Sequence, residues 1–219
     1  MGKITLTETQ KQIISAISRE PYFAHTFYLT GGTVLSAFYY HHRQSEDIDL
    51  FSEKPFDQNR VHSWMNKQHC LSGWKLTYRQ VFERQTYEII WGSHRGKIEF
   101  VHYDFAPIEK SGIAYQSFTI DSLSDIAVNK LLTISQRTTT KDFVDLYFLL
   151  KKDFSWWDLM HGVAHKFKME IEPLYLSSLL AKADELDTLP LMTKKLTLNA
   201  LKAFFLSEAK KLAEPMLKP

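Results

Sequence analysis

Two acidic residues separated by a single residue are the most chemically suggestive feature of this sequence. Asp47 and Asp49 lie in the segment 45–51, whose alternation of polar and apolar residues predicts a β-strand. Because side chains alternate between the faces of a strand, both carboxylates are expected to point the same way, while Ile48 and Leu50 enter the core. Neighbouring carboxylates repel each other, and a divalent cation removes that cost. A few oxygen ligands suit Mg²⁺, which keeps other positions for water and phosphates.

A pair of glycines precedes this acidic pair. Gly31 and Gly32 follow the short apolar segment 27–30, a predicted strand, and a helix is predicted to begin just after them. Backbone N–H groups at a helix start bind phosphate oxygens, and glycine lets the phosphates approach the backbone closely. The hydroxyls of Thr33 and Thr30 could add to this cradle. Although Gly-Gly alone is more often a simple turn, the two features together predict a phosphoryl- or nucleotidyl-transfer site.

A third carboxylate is predicted on a neighbouring strand over 97–103. Glu99 alternates there with Ile98 and Phe100, so it is expected on the polar face of the strand. It could ligate a second metal ion or accept the proton of an attacking hydroxyl. With two metal ions, one lowers the pKa of the nucleophile and the other stabilises the pyrophosphate leaving group. The alternative is an ordinary solvated strand residue.

The order of these motifs resembles a known signature. Gly31-Gly32-Thr33 followed by Asp47-Ile48-Asp49-Leu50-Phe51 is similar to the signature of the DNA polymerase β-like nucleotidyltransferase superfamily. Within it, the sequence resembles most the AbiEii-type toxin family. The segments that carry this closer resemblance are 29–35, 42–45, 47–51, 122–130, Arg137 and 141–147. The resemblance covers residues 25–150, and nothing diagnostic follows.

The resemblance implies both a fold and an activity. Members of the family join a mixed-sheet nucleotidyltransferase core to a helical C-terminal part and act as toxins of toxin–antitoxin or phage-defence systems. Several are thought to transfer nucleotides to the 3′ end of tRNA. It therefore implies Mg²⁺ as cofactor, an NTP as substrate, tRNA as acceptor and a cognate antitoxin as partner. The family's essential lysine and downstream aspartate match Lys130 and Asp145, with Asp142 as the other candidate.

Charge considerations support the same residues. A lysine on a helix that faces the cleft can neutralise triphosphate charge as a point cation, which is the role predicted for Lys130. Asp142 and Asp145 are three residues apart and share a helical face, so one could orient Lys130 or contact the base or ribose. The alternative is a surface ion pair of little energetic consequence. Arg43, before the acidic strand, is a further candidate to bind triphosphate or RNA, while the preceding His42 is expected at a solvated helix end.

The elements that position these residues change in character near residue 120. We predict an α+β fold in which a mixed-sheet nucleotidyltransferase core over 1–120 is followed by a C-terminal helical bundle over 121–219. A turn is predicted at 92–96. The predicted strands are 27–30, 45–51, 76–82, 86–91 and 97–103, and the predicted helices include 5–18, a helix after Asp57, and 124 onward with 153–168, 173–184 and 196–212.

Composition limits the class of protein. The chain has 219 residues, of which 24% are charged and 44% hydrophobic, as in ordinary globular proteins. A net charge of +2 does not by itself indicate nucleic-acid binding. The single cysteine, Cys70, rules out an internal disulfide and fits a reducing compartment. Because the first 20 residues are polar and no apolar run could span a bilayer, a cytoplasmic protein without a membrane partner is expected.

Two other functions stay open at this point. The acceptor could be a protein hydroxyl or a small molecule such as an aminoglycoside. Alternatively, the chain could be a non-catalytic module that binds an NTP or a partner through a degenerate site. The joint presence of Asp47, Asp49, Glu99 and Lys130 argues against degeneracy.

Overall fold

The computed structural model describes residues 4–91 and 94–217, which form two compact units. The first unit takes in the described residues up to 39, together with 45–106 and 110–122. The second unit is formed by the residues from 123 onward. It also includes two short segments that come earlier in the sequence, 40–44 and 107–109.

A five-stranded mixed sheet organises the first unit. Its strand order is β1-β2-β5-β4-β3; β2 and β5 run parallel, and the other neighbours run antiparallel. The strands are β1 Tyr28–Thr30, β2 Ile48–Ser52, β3 Lys75–Val81, β4 Arg84–Trp91 and β5 His94–His102. A separate hairpin consists of β6 Ala114–Tyr115 and β7 Phe118–Thr119. The predicted strands are therefore confirmed, with shifted ends.

Two of those shifts concern predicted residues. The acidic strand begins at Ile48, so Asp47 lies immediately before it rather than within it. The turn predicted at 92–96 is wrong over its last three residues, because His94, Arg95 and Gly96 belong to β5. Gly92 and Ser93 lie outside the described residues.

Helices of the first unit start where local signals place them. Thr7 and Gln10 form a capping box at the start of α1 (Glu8–Ser18), and Asp57 caps α4 (Gln58–Ser72) by accepting a hydrogen bond from the Arg60 N–H. Between them lie α2 (Pro21–Thr26) and α3 (Gly31–Val34). The latter continues as a π-helix over Leu35–Tyr40. The helix predicted just after the two glycines thus begins at the first of them.

The core of the first unit is largely aromatic and lies on one face of the sheet. Phe23 packs against Trp64 and Phe100, with ring centroids 5.1 and 5.7 Å apart. Phe100 and Ile98, which alternate with Glu99 on β5, are fully buried. The face opposite this core is therefore the one left to carry polar chemistry.

The second unit is helical. Its elements are α5 Leu123–Gln136, α6 Thr140–Lys152, α7 Trp156–Phe167, α8 Pro173–Ala181, a 3₁₀ turn Lys182–Glu185 and α9 Leu198–Leu217. Helix α7 begins later than predicted because Ser155 forms a capping box with Asp158. Among the helices of the described chain, none has the length and apolar character needed to cross a bilayer.

Candidate active site

Strand pairing brings two of the predicted acids side by side. In the parallel pairing of β2 with β5, Asp49 and Glu99 lie directly opposite each other. Paired residues on adjacent strands project from the same face, so these two side chains are neighbours. Ile48 and Leu50 are buried on the other face, as the alternation predicts. The sequence could indicate the face of each strand but not that these two strands are adjacent.

Asp47 is linked to the same face of the sheet by a lysine that also contacts Glu99. The Nζ of Lys97 lies 3.7 Å from Oδ2 of Asp47 and 3.2 Å from Oε1 of Glu99. Lys97 stands two positions before Glu99 on β5, so both side chains leave the same side of the strand. The structure therefore gathers the three predicted carboxylates on one face of the sheet.

The first of the two glycines lies directly against this acidic face. Thr30 pairs with Asp49 in the antiparallel register of β1 and β2, which carries Gly31 to the Asp49 side chain. A Cβ atom built on Gly31 would lie 1.9 Å from Oδ2 of Asp49. Gly31 also has a φ of +78°, in the region that side chains disfavour. Only glycine fits here, and its bare backbone lies against a carboxylate.

The threonine hydroxyls have structural partners. Thr33 is buried, and its hydroxyl donates to the carbonyl oxygen of Asp47 and lies 2.9 Å from the Ser45 hydroxyl. Thr30 donates to Asp121 at 2.5 Å. These contacts differ from the predicted contribution of both hydroxyls to a phosphate cradle. The Thr33 contact instead ties α3 to the backbone that carries the acidic pair.

The donor set suits a lightly ligated hard cation. Within residues 4–91 and 94–217, no three His, Cys, Asp or Glu side chains converge as a ready-made metal cage. Mg²⁺ does not need one, because it is usually bound through one or two carboxylates, water and substrate phosphates. Asp47 and Asp49 provide such a pair, and the Asp49 carboxylate occupies the space that a Cβ atom on Gly31 would fill. These residues fit the metal that the predicted chemistry requires.

Glu99 has more hydrogen-bond and ion-pair partners than predicted. It is 7% exposed, Arg84 Nη1 donates to its Oε2 at 2.7 Å, and Thr86 donates to its Oε1 at 3.1 Å. With Lys97, two cations balance this one carboxylate. Its predicted role as metal ligand or base stays a prediction, because these partners already engage both of its oxygens.

A second cluster of predicted residues forms in the helical unit. Lys130, on α5, places its Nζ 2.8 Å from Oδ1 of Asp142 and 2.6 Å from Oδ2 of Asp145, both on α6. Both aspartates are fully buried. The prediction that the two aspartates share a face and that one orients Lys130 is consistent with these contacts. The alternative of a surface ion pair is wrong, because the group is inside the unit.

Arg43 and His42 belong to this buried cluster. The Nε and Nη2 of Arg43 form a bidentate pair with Asp145 at 2.7 and 2.8 Å, and Nε2 of His42 lies 2.7 Å from Oδ1 of the same carboxylate. Arg43 is 5% exposed and His42 is fully buried, which corrects the expectation of a solvated helix end. The predicted contact of Arg43 with phosphate or RNA finds no support in these contacts.

The electrostatics of the cluster follow from its charges. Burial would raise the pKa of Asp145, but the adjacent Arg43 and Lys130 hold it well below its usual range. Asp142 is likewise disfavoured by burial, yet Lys130 and Arg137 bring its pKa to about 2. Burial would lower the pKa of Lys130, but the two aspartates raise it. The lysine and both aspartates are therefore ionised at neutral pH.

His42 is the exception in this charged cluster. Burial lowers its pKa more than the hydrogen bond to Asp145 raises it, so the ring is neutral at pH 7. Because the ionised Asp145 only accepts hydrogen bonds, Nε2 carries the proton. Nδ1 is buried without a hydrogen-bond partner among the residues that the structure describes.

Sequence reasoning missed several of these residues for different reasons. Lys97 could have been found, because it precedes Glu99 by two positions on a predicted strand. His42 offered no local signal, since its partner Asp145 is 103 residues away. Arg137 contributes to the family resemblance but has no predicted role, and the structure ties it to Asp142 at 2.9 Å.

Comparisons with known proteins add to this geometry. A family model described as "Nucleotidyl transferase AbiEii toxin, Type IV TA system" matches residues 12–213, well beyond the segment that carries the resemblance in the sequence. The uncharacterised protein aq_aa25 of Aquifex aeolicus (strain VF5) is 35% identical over 136 residues, which is 61% of this chain and 61% of that protein. The chain thus matches less than two thirds of the length of that relative.

Solved structures show the same fold. JHP933 from Helicobacter pylori has a TM-score of 0.56 at 22% identity, over 97% of this chain and 95% of that one. MenT4, a nucleotidyltransferase toxin from Mycobacterium tuberculosis H37Rv, has a TM-score of 0.59 at 13% identity, over 94% of this chain and 82% of that one. The predicted α+β fold, with a mixed sheet and C-terminal helices, is confirmed.

Proposed function

The chain belongs to the AbiEii nucleotidyl transferase toxin family of type IV toxin–antitoxin systems, and on that premise we propose that it transfers a nucleoside monophosphate from an NTP to an acceptor hydroxyl. The observation that carries the proposal is the carboxylate of Asp49 lying against the bare backbone of Gly31. Asp47 and Glu99 lie on the same face of the sheet. Acidic ligands beside a glycine turn are what a metal-bound triphosphate requires.

The proposed reaction is an in-line displacement. The acceptor oxygen bonds to the α-phosphorus as the bond to the bridging oxygen breaks, and pyrophosphate leaves. Asp47 and Asp49 hold Mg²⁺, which supplies positive charge to the α-phosphate and the leaving group when it is bound. Glu99 is proposed as third ligand or as acceptor of the hydroxyl proton. The backbone at Gly31 and Gly32 is proposed to receive the phosphates, with Thr33 fixing that turn.

Lys130 is proposed as a cation for the triphosphate, as the family resemblance implies. Its cluster joins three cations, Lys130, Arg43 and Arg137, with two buried carboxylates, so it carries an excess positive charge. Asp145 and Asp142 each contact Lys130, which supports positioning roles for both. The same contacts favour a positioning role for Arg43 over nucleotide binding.

The acceptor proposed is RNA, specifically the 3′ end of tRNA, with a cognate antitoxin as a cellular partner. The support is family membership together with the resemblance of the motifs around the two predicted clusters. Such substrates imply a cytoplasmic site of action. A protein or small-molecule acceptor is the rival, and a non-catalytic NTP-binding module is the second rival.

Labelling experiments separate these possibilities. The protein is incubated with NTPs labelled at the α-phosphate, Mg²⁺, total tRNA and a cell-protein fraction, and the RNA, protein and small-molecule fractions are counted. Wild type should label tRNA, and Asp49→Ala should lower that labelling about a hundredfold or more, because a metal ligand is lost. Asp57→Ala, which removes an exposed helix-capping aspartate of the same unit, is the matched control and should retain transfer.

Each alternative outcome has a definite meaning. Label in the protein or small-molecule fraction would replace tRNA as acceptor while keeping the chemistry. NTP binding without transfer to any fraction would favour the non-catalytic module. Equal labelling by wild type and Asp49→Ala would exclude the metal site.

A further inference from the structure

A lysine ammonium lies inside the acidic face. The parallel register pairs Ile48 with Ile98. Asp47 and Lys97, the residues that immediately precede them, are therefore neighbours. Its Nζ is 3.2 Å from Glu99 Oε1 and 3.7 Å from Asp47 Oδ2. One cation is thus shared by two of the three carboxylates proposed to serve the metal.

The surroundings make this lysine different from a surface ion pair. The side chain of Lys97 is 29% exposed, that of Asp47 is 27% exposed and that of Glu99 is 10% exposed. Screening by water is therefore partial, and interactions among these charges are stronger than on an open surface. Carboxylates this close repel one another unless a cation lies among them.

Lys97 is one of several groups that contact Glu99 and Asp47. Glu99 also receives Arg84 at 2.7 Å and Thr86 at 3.1 Å, so the loss of Lys97 leaves it with a cation. Asp47 is held from its main chain, where the Thr33 hydroxyl donates to its carbonyl. Removing Lys97 therefore takes away a positive charge next to the carboxylate of Asp47, a proposed metal ligand.

We propose that Lys97 is the counter-ion of the metal-free site and that it competes with the divalent cation for Asp47. This inference rests on the proposed function, because it takes the acidic face to be the metal site. Lys97 neutralises Asp47 and Glu99 in the absence of metal and keeps the carboxylates together. A cation that binds Asp47 and Asp49 must displace the ammonium from Asp47 or bear its repulsion. Lys97 is a positioning residue that sets metal affinity.

Substitution of Lys97 is expected to have two effects in opposite directions. Removing the ammonium should strengthen divalent-cation binding, because a repelling charge disappears. It should also weaken the metal-free fold, because Asp47 and Glu99 then face each other with less compensation. If Lys97 had only a structural role, its removal would weaken both cation binding and the metal-free fold. Tighter binding together with a less stable metal-free fold is therefore diagnostic.

Mn²⁺ titration in the absence of nucleotide tests this. Lys97→Met should bind Mn²⁺ about tenfold more tightly than wild type by isothermal titration calorimetry. In EDTA its Tm should fall, and Mn²⁺ should raise that Tm by more than it raises the wild-type Tm. Lys75→Met is the matched control: Lys75 is an exposed lysine on β3 of the same sheet, and its loss should leave Mn²⁺ affinity unchanged.

The outcomes that overturn the inference are distinct from those that overturn the proposed function. Equal or weaker Mn²⁺ binding by folded Lys97→Met overturns the inference alone; Lys97→Gln serves if the methionine variant does not fold. Undiminished Mn²⁺ binding by Asp47→Asn overturns the inference together with the role of Asp47 as a metal ligand in the proposed function. Absence of Mn²⁺ binding in every protein, wild type included, overturns the metal site of the proposed function as well.

Discussion

At the scale of single residues, the chain handles its buried charge in two ways. Asp145 is fully buried and is compensated by a bidentate Arg43, by Lys130 and by a neutral His42. Such groups are tolerated inside a protein only when they are paired and hydrogen-bonded, and removing one partner costs about 3–5 kcal/mol. On the acidic face, Lys97 and Arg84 instead balance Asp47 and Glu99, and the Asp47 side chain is 27% exposed.

The pH dependence of stability should report on His42. Burial lowers its pKa in the folded protein below the usual 6.5, so between these two values the unfolded chain binds more protons. Stability from this group is therefore fully present above pH 6.5 and is lost as pH falls through the folded-state pKa. Urea unfolding at a series of pH values from about 7 to 5 should show wild type losing stability, and His42→Gln should lack that contribution.

An exposed histidine provides the control for the substitution of His42. His25 is exposed, and His25→Gln should keep the pH dependence of wild type. If His42→Gln instead retains the full wild-type slope, His42 does not carry a buried proton-linked contribution.

At the scale of elements, the parallel pairing of β2 with β5 and the antiparallel pairing of β1 with β2 assemble the acidic face. The first pairing places Asp49 beside Glu99, and the second brings Gly31 to Asp49. The strands and their buried faces could be predicted from alternation, because that pattern is local. The pairing could not, since it depends on contacts between distant segments. For the same reason, sequence reasoning expected His42 at a solvated helix end and Arg43 in contact with triphosphate or RNA, and not beside Asp145.

Gly31→Ala should disable the site both through backbone strain and through displacement of the Asp49 carboxylate. Any side chain there must adopt φ near +78° and displace the Asp49 carboxylate, whose Oδ2 would lie 1.9 Å from the new Cβ. The strain alone costs about 1–2 kcal/mol. Gly73→Ala is the matched control, because Gly73 has φ +67° but nothing within 4 Å of a Cβ.

Comparison of the two variants separates strain from displacement. Gly31→Ala should lose more stability than Gly73→Ala in urea unfolding, and only Gly31→Ala should lose nucleotide transfer and Mn²⁺ binding. Full transfer by Gly31→Ala would mean that Asp49 does not need its observed position. Equal loss of transfer by Gly73→Ala would point to a general effect on folding.

At the scale of the whole molecule, family membership covers residues 12–213 and so includes most of both units. The fold class followed from the change of pattern near residue 120 and from the motif resemblance. The residues after 150 carried helical periodicity but no motif, so their family membership could not be read from the sequence. A net charge of +2 leaves RNA binding to local features, since composition alone supplies little general attraction to phosphate.

The most direct test of the central claim is the fate of the individual phosphates of the NTP. The protein is incubated with tRNA, Mg²⁺ and NTP labelled either at the α- or at the γ-phosphate, with Asp49→Asn in parallel. If the carboxylate beside Gly31 serves nucleotidyl transfer, wild type should move only the α-label to the acceptor, and Asp49→Asn should move neither. Transfer of the γ-label, or transfer of the α-label by Asp49→Asn at the wild-type rate, would contradict the account.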